Sequence, residues 1–330
     1  MPTGWSRSPP PSGPTSTPAC SEALAPVARL VFLGTPPAAA VALEALVRAG
    51  HDVALVVSRV DARRGRGAEL APSAAKRAAL ALGLDVTERL DDVTTVGAEM
   101  GVVVAYGRLI PGRILESLPM VNVHFSLLPR WRGAAPVERA VLAGDTETGV
   151  CLMRLEETLD TGPVLDRRRV QVGEREHVSS LTGRLATIGA QLLVDALAPG
   201  VDTLPRGEPQ RGEPTYAPKV VPEELRLDWG RRAPELERVV RLDRAWTTFR
   251  GERLLVLDAR ARPVSIPPGD DCGPEGPPGT LEGTSVRTGA GTLELLEVQP
   301  AGKRPMPASA WHRGVRARPG ETLGDERDRR

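Results

Sequence analysis

Short apolar runs alternate with Ala- and Leu-rich segments through the first two thirds of the chain. The runs that predict buried strands are Leu30–Leu33, Val53–Val57, Gly101–Ala105, Val121–His124 and Val150–Leu155. Helices are predicted up to Ala49 and over Ala74–Leu82, Val137–Ala143 and Ser179–Leu197. Because parallel strands need crossover connections, this order predicts an α/β fold with a Rossmann-like, mainly parallel sheet.

The pattern changes after the last of these helices. Residues 199–222 are rich in proline, glycine and charge, which is typical of a linker. Beyond them, short strands are predicted at Arg253–Leu257, Thr280–Val286 and Thr292–Val298. Residues 263–280 contain ten prolines or glycines and predict a long loop. Short strands separated by such turns predict a small barrel or sandwich.

The chain therefore divides into five expected parts. These are a disordered Pro- and Ser-rich tail at 1–28, an α/β unit at 29–205, a linker at 206–222, a β unit at 223–324 and a tail at 325–330. The first 26 residues hold seven prolines and too little apolar surface to offset the entropy of ordering. A transit peptide, with Arg7 as its only basic residue, and an upstream start codon are the alternatives for this segment.

Charge and aromatic content narrow the classes of function. Lysine and arginine number 43 against 42 acidic residues, so the protein is not basic over its whole surface, although a local basic patch remains open. Five Trp, two Tyr and three Phe are too few for the stacked aromatic platforms of single-strand binders. Three distant cysteines disfavour a disulfide framework or a zinc site, and no apolar run approaches the roughly 18 residues of a membrane span. We expect a cytoplasmic protein.

Candidate chemistry begins at the end of the fourth predicted strand. Residues two apart in a strand face the same way, so Asn122 and His124 project together at the carboxyl end, where open α/β sheets bind ligands. An amide donor beside a histidine suits an oxyanion that develops during acyl transfer. The alternative is a polar strand end with a hydrogen-bonded core histidine. Among the four histidines, only His124 lies at a strand end next to a Gly- and Pro-rich loop.

A single aspartate follows the next strand in a sharp turn, within Leu159–Pro163. The side chain of Asp160 in such a turn commonly bonds to its own backbone as an Asx-turn. The functional alternative is a carboxylate that tunes His124 and accepts a proton.

Longer motifs in this region resemble the folate-dependent formyltransferases. The run Ser126–Pro136 carries the resemblance together with Asn122 and His124 before it and Leu159–Pro163 behind it. Further matching segments are Phe32–Pro36, Val103–Gly107, Gly144–Val150, Tyr216–Lys219, Leu227–Trp229, Ala245–Phe249 and Gln299–Lys303. The resemblance covers about residues 29 to 324 and is strongest to those members whose formyl acceptor is methionyl-tRNA.

The resemblance implies formyl transfer from 10-formyltetrahydrofolate to the α-amino group of methionine on initiator tRNA, with no metal. The matching residues are the catalytic Asn122, His124 and Asp160 and the tetrahydrofolate-contacting Ser126, Leu127, Leu128 and Pro129. In this interpretation Asn122 and His124 donate hydrogen bonds to the tetrahedral oxyanion, while Asp160 keeps the histidine protonated and helps to move the amine proton. Two departures stand out. Phe125 replaces a small residue beside the folate segment, and Pro37-Ala38 replace an acidic-Phe pair, which we expect to affect helix packing only.

The same resemblance implies contacts with tRNA. In the family, a loop corresponding to Arg63–Gly67 contacts the acceptor end, and the C-terminal domain is an OB-like barrel that also holds tRNA. The candidate contacts are Arg63, Arg64, Arg66, Lys219, Arg250 and Lys303. Of the loop arginines only Arg66 matches cleanly, and a solvated charged loop is the alternative. A monomer without membrane contact is expected.

Three rival functions differ in what they require. Glycinamide ribonucleotide transformylase shares the Asn-x-His and Asp pattern but lacks the barrel and the Trp131–Pro136 run. Sugar-nucleotide and dehydrogenase-fused formyltransferases share more of that run, and the fused ones need a further domain for which 330 residues leave no room. A tRNA-binding protein without catalysis is disfavoured because all three catalytic residues are present.

Overall fold

The computed structural model describes residues 27–64, 69–262 and 275–324. Up to residue 217, the described residues form eleven strands and five α-helices. In chain order these are β1 (Arg29–Gly34), α1 (Pro37–Arg48), β2 (Asp52–Val57), β3 (Ala62–Arg64), β4 (Glu69–Ala71), α2 (Ala74–Ala81), β5 (Val86–Thr87), β6 (Met100–Val104), α3 (Gly112–Ser117), β7 (Met120–His124), β8 (Arg132–Gly133), α4 (Pro136–Ala143), β9 (Glu147–Arg154), β10 (Val164–Gln171), α5 (Val178–Leu197) and β11 (Tyr216–Ala217).

Seven of these strands form one sheet in the order β10-β9-β7-β6-β1-β2-β5. The pairs β5–β2, β2–β1, β1–β6 and β6–β7 are parallel, which confirms the predicted α/β class with a mainly parallel sheet. The last two strands differ, because β9 runs antiparallel to both β7 and β10. An apolar run such as Val150–Leu155 contains no information about strand direction, so the regular alternation expected from sequence ends at β7.

Both faces of this sheet are covered. Along β1, Leu30 and Phe32 pack into a core beneath α1, α2 and α5, whereas Val31 and Leu33 pack into a second core with α3. All four side chains are fully buried, as the two-residue repeat of a strand requires when both faces are covered.

The rest of the chain builds a separate antiparallel sheet. The elements of this second unit are α6 (Ala233–Val240), β12 (Trp246–Phe249), β13 (Glu252–Arg262), β14 (Leu281–Glu282), β15 (Ser285–Arg287), β16 (Thr292–Pro300), β17 (Met306–Pro307) and α7 (Ala308–Val315). Short 3₁₀ helices lie before it in the described chain, at Leu90–Thr94, Val201–Thr203 and Pro222–Leu225. The strand order is β12-β13-β16-β15-β14, with β17 paired to β16. The single strand predicted over Thr280–Val286 is wrong, because Gly283 with φ +58° turns the chain and splits it into the β14–β15 hairpin.

Polar contacts join the α/β unit to the antiparallel second unit. The Arg241 guanidinium at the end of α6 is buried and donates to the backbone carbonyls of Glu176 (2.9 Å) and Gly173 (3.1 Å). Its burial lowers the pKa of Arg241. Nearby, His177 Nδ1 lies 2.7 Å from an oxygen of Asp243. The junction is thus held by charged and hydrogen-bonded groups at the start of α5.

The segment predicted as a linker contacts the first unit closely. Strand β11 pairs with β8, and Val220 joins the apolar core beneath α1 and α5, as does Leu225 just after the predicted linker. No helix within the described ranges is long and apolar enough to cross a membrane.

Candidate active site

Two polar side chains lie at the carboxyl end of β7. Val121 and Val123 of this strand belong to the core beneath α5, so Asn122 and His124 face the opposite side of the sheet. Both are almost buried, at 8% and 5% exposure. In the neighbouring strand β9, Met153 and Cys151 stand directly opposite them. The structure therefore places these two predicted residues side by side at the edge where α/β sheets bind ligands.

Both ring nitrogens of His124 face oxygen atoms. Nε2 lies 2.9 Å from the carbonyl oxygen of Trp131, and since a carbonyl only accepts, Nε2 carries a proton and donates. Nδ1 lies 3.6 Å from Oδ2 of Asp160. The two side chains are 6% and 8% exposed, so water screens this pair little. The sequence alone did not predict that Nε2 would donate a hydrogen bond to a backbone carbonyl.

The Asp160 carboxylate is fixed from a second direction. Its Oδ2 accepts a 2.8 Å hydrogen bond from the backbone N–H of Gly133. Asp160 itself adopts φ +51°, a left-handed conformation that is uncommon for residues other than glycine. A Cβ at Gly162 would lie 2.0 Å from the carbonyl oxygen of Arg154, so only glycine fits two positions later. Among the described residues, the carboxylate thus accepts its hydrogen bond from another loop and not from its own turn.

Asn122 differs from its neighbours in having no partner. Its side chain makes no hydrogen bond within the part of the chain that the structure describes, although it is 92% buried. It is also the only asparagine in the sequence. Within the described residues the wholly buried side-chain polar atoms without a partner are Tyr106 Oη and Thr248 Oγ1, so the unpaired Asn122 amide still reaches solvent at the edge of the sheet. Asn122 therefore supplies a donor that is available to a substrate oxygen.

The loop after β7 packs on the same side of the sheet. Leu128 is buried against Cys151, Met153 and Val164, and a cis peptide joins it to Pro129. Ser126 is fully buried, with its hydroxyl donating to the Arg130 carbonyl at 2.5 Å. The four predicted folate-contacting residues, Ser126, Leu127, Leu128 and Pro129, are here called the wall, and through Leu128 it packs against the two residues of β9 that pair with Asn122 and His124.

Phe125 points away from this wall. Val123 and Phe125 belong to the core beneath α5, and the Phe125 ring lies 3.5 Å from the position that a Cβ of Gly189 would occupy. The larger residue noted in the sequence is therefore accommodated by a glycine on α5.

Asp145 holds the next part of the loop. It accepts hydrogen bonds from the Trp131 indole Nε1 (2.8 Å) and from Nε and Nη2 of Arg130 (2.9 and 2.6 Å). The guanidinium of Arg130 also stacks on the Trp131 ring, 4.5 Å from its centroid. Since the Trp131 carbonyl contacts His124, Asp145 fixes a residue that touches the site. The matching Gly144–Val150 motif was noted in the sequence without a role for this carboxylate.

The segment from Glu208 to Ala217, here called the connector, closes the site from the other side. The backbone N–H of Trp131 donates to the Thr215 hydroxyl at 2.9 Å. Gly133, at φ +122°, packs so closely that a Cβ there would lie 2.9 Å from the Ala217 carbonyl oxygen. Gln210 reaches the Asp160 turn itself. Because this segment is rich in Pro and Gly, its sequence predicts a linker and does not indicate these contacts.

The predicted tRNA contacts are dispersed. Arg63 and Arg64 form the short strand β3, paired with β4, where a loop was predicted, and Arg66 lies outside the described residues. Lys219 is exposed two residues after β11. Lys303 is exposed in the turn between β16 and β17.

Arg250, the remaining candidate for a phosphate contact, is engaged within the second unit. Its guanidinium forms an ion pair with Glu321, with Nη2 2.8 Å from Oε2, and lies 4.7 Å from the centre of the Phe249 ring. This ion pair lowers the pKa of Glu321. A phosphate would have to compete with a carboxylate already in place.

Cys151, which packs against Leu128 of the wall, differs chemically from the polar residues of the site. It is fully buried, and burial raises the pKa of its thiol, so it is a poor nucleophile. Within the described ranges no group of three or more His, Cys, Asp and Glu side chains has the arrangement of a metal site. The polar groups of the candidate site are thus an amide, an imidazole and a carboxylate.

Comparison with known families identifies two matching models. The model described as "Formyl transferase" matches residues 28–197, and that described as "Formyl transferase, C-terminal domain" matches residues 219–316. Among curated proteins, the methionyl-tRNA formyltransferase of Dinoroseobacter shibae is 41% identical over 301 residues, covering 87% of this chain and 97% of the relative. That of Clavibacter michiganensis subsp. michiganensis is 43% identical over 306 residues, covering 88% and 98%.

Solved structures with the same fold are more distant in sequence. The N-formyltransferase of Helicobacter canadensis, solved with folinic acid and dTDP-3-aminofucose, is 14% identical with a TM-score of 0.61 over 84% of this chain and all of that chain. Methionyl-tRNA formyltransferase from Clostridium thermocellum is 16% identical with a TM-score of 0.52, covering 72% and 94%. HypX of Aquifex aeolicus with tetrahydrofolic acid has a TM-score of 0.56 at 16% identity, and this chain spans 47% of its length.

Proposed function

The chain belongs to the methionyl-tRNA formyltransferases of the formyl transferase family, and from that membership we propose which of its residues carry the reaction. The enzyme transfers the formyl group of 10-formyltetrahydrofolate to the α-amino group of methionine on initiator tRNA. The amine nitrogen forms a bond to the formyl carbon, the carbonyl oxygen becomes an oxyanion, and the carbon–nitrogen bond to the folate then breaks. One amine proton is lost and one proton goes to the departing folate nitrogen.

In this proposal Asn122 is the principal oxyanion donor. Its side chain is almost buried, faces the ligand edge of the sheet and has no hydrogen-bond partner among the described residues. A donor already fixed in place costs no reorganisation when charge develops on the formyl oxygen. This unpaired amide at the open edge of the sheet is the observation that supports a carbonyl-bearing co-substrate at this position.

His124 and Asp160 act together on protons. The Asp160 carboxylate lies 3.6 Å from Nδ1, and Nε2–H is engaged with the Trp131 carbonyl. A developing oxyanion competes with that neutral carbonyl and, being charged, is the stronger acceptor. We propose that the ring donates to the oxyanion once it forms, while Asp160 offsets the positive charge on the imidazole and accepts the amine proton.

The remaining assignments concern binding. The wall formed by Ser126, Leu127, Leu128 and Pro129 would contact the tetrahydrofolate, because Leu128 within it packs on the same face of the sheet as Asn122. We propose residues 29–205 as the catalytic domain, 206–222 as the linker and 223–324 as an OB-like barrel. Lys219 and Lys303, together with Arg63, Arg64 and Arg66, would contact tRNA phosphates. The enzyme would act as a cytoplasmic monomer.

The experiment that tests the site uses charged initiator tRNA and 10-formyltetrahydrofolate as substrates. Formyl-methionine formed by the wild-type chain is compared with that formed by Asn122→Ala, His124→Ala and Asp160→Asn. Each variant should lose on the order of 10²-fold in kcat, because each alters a group that meets the reacting atoms. Wild-type turnover in any one of them removes that residue from the proposed mechanism.

A further inference from the structure

We propose that Gln210, in the connector, is a positioning residue that holds the Asp160 turn against His124. The inference deepens the proposed function, since it rests on the role given there to Asp160. It adds a residue from outside the α/β sheet to the machinery of formyl transfer.

The Gln210 side chain makes four hydrogen bonds, to three residues. Its Nε2 donates to the carbonyl oxygens of Asp160 (2.8 Å) and Gly162 (2.9 Å). Its Oε1 accepts from Nε (3.1 Å) and Nη2 (2.6 Å) of Arg132. An amide of this kind has two N–H donors and one acceptor oxygen, so all of its hydrogen-bonding capacity is directed at the active-site loops.

The Asp160 turn needs such support. A non-glycine residue at φ +51° is in a sparsely populated conformation, which persists only when its surroundings fix it. The carbonyl that Gln210 binds belongs to this same residue. Loss of the two donors would let the turn relax and the carboxylate leave its position 3.6 Å from His124 Nδ1.

The opposite end of the Gln210 side chain reaches the loop that contacts the same two catalytic side chains. Arg132 lies between Trp131, whose carbonyl meets His124, and Gly133, whose N–H meets Asp160. By bonding both to Arg132 and to the Asp160 turn, Gln210 fixes the separation of the two loops that bracket the imidazole. Its position in the connector is itself anchored by the β8–β11 pairing and by the Val164–Glu208 bridge.

This arrangement predicts a specific kinetic pattern. Gln210→Met keeps the length of the side chain and removes both donors and the acceptor. Gln210→Glu retains an acceptor for Arg132 but removes the donors to both carbonyls. We expect both variants to lose about tenfold in kcat, which corresponds to about 1.4 kcal/mol, with KM for tRNA and for the folate within about twofold of wild type.

The decisive measurement is the double variant Asp160→Asn with Gln210→Met. If Gln210 acts through Asp160, the double variant is no slower than Asp160→Asn alone, because the group being positioned is already lost. If the two losses multiply, Gln210 acts independently of Asp160 and the proposal is overturned. Wild-type kcat in both Gln210 variants overturns it as well.

The matched control is Gln191→Met, which removes an exposed amide on α5 that bonds only to Asp195 within the described residues. Its kcat should equal that of the wild type. The outcomes distinguish the role proposed for Asp160 from the role proposed for Gln210. Full activity of Asp160→Asn rejects the proposed role of the carboxylate, whereas impaired Asp160→Asn with unimpaired Gln210 variants rejects only the role of Gln210.

Discussion

Replacement of Asn122 by alanine separates catalysis from stability more sharply than any other change at this site. The side chain is 92% buried but has no hydrogen-bond partner among the residues that the structure describes. Truncation therefore breaks no bond within the protein. It removes a buried polar group, which favours folding, and leaves a small cavity, which opposes it.

The two consequences differ greatly in size. Loss of one preorganised oxyanion donor typically lowers kcat by about 10²- to 10³-fold, or about 2.7–4 kcal/mol of transition-state stabilisation. The opposing burial and cavity contributions to folding should leave the free energy of unfolding within about 1 kcal/mol of wild type. Asn122→Asp should be slower still, because a carboxylate replaces the donor beside a developing negative charge.

The assay is steady-state formylation of methionyl-tRNA, with urea unfolding of the same preparations. Thr248→Val serves as the control, since Thr248 Oγ1 is a buried polar atom without a partner in the described ranges and lies in β12, within the second unit. It should retain wild-type kcat. An Asn122→Ala enzyme with wild-type kcat, or one that fails to fold, would refute the argument that this amide is reserved for a substrate.

Three further predictions concern stability. Glu224→Gln should cost about 1 kcal/mol at neutral pH, because the bidentate Arg139 pair lowers the pKa of Glu224. That stability is present above the ordinary Glu pKa of about 4.3 and is lost as the pH falls through the lowered value, so the melting curves of variant and wild type should converge in acid. Arg241→Met should cost about 2–3 kcal/mol in urea unfolding, since two backbone carbonyls lose a charged donor. Tyr106→Phe should raise the melting temperature slightly, because the buried Tyr106 hydroxyl has no partner within the described part of the chain.

Much of the α/β unit could be predicted because its strands are buried on both faces. The run at Val53–Val57 is continuous and apolar for that reason, and its observed bounds differ by a single residue, as do those of the strand predicted at Val121–His124. The strand β10 was missed because its sequence contains Asp166 followed by three arginines and has only two buried residues. An edge strand that faces solvent has no apolar repeat by which to recognise it.

The candidate site was likewise predictable only in part. Asn122 and His124 lie on one strand, so a two-residue spacing was enough to place them together. The contact between His124 and the Trp131 carbonyl depends on a residue at φ +63°, which no periodicity predicts. Asp145 and Thr215 act through hydrogen bonds to Trp131 from 14 and 84 residues away, a separation that only the folded chain can close.

The connector shows why composition misleads about function. Proline, glycine and charge are typical of a linker because such residues bury little surface, yet two residues of backbone pairing at Tyr216–Ala217 and one amide at Gln210 are enough to fix an active-site loop. Neither feature needs a hydrophobic repeat. A chain ending near residue 205 would keep every strand of the mainly parallel sheet and the Gly133 N–H that binds the Asp160 carboxylate, but lose the two Gln210 donors to the Asp160 turn. If Gln210 has the role proposed for it, the groups that support catalysis extend beyond the proposed domain boundary at residue 205 into the connector.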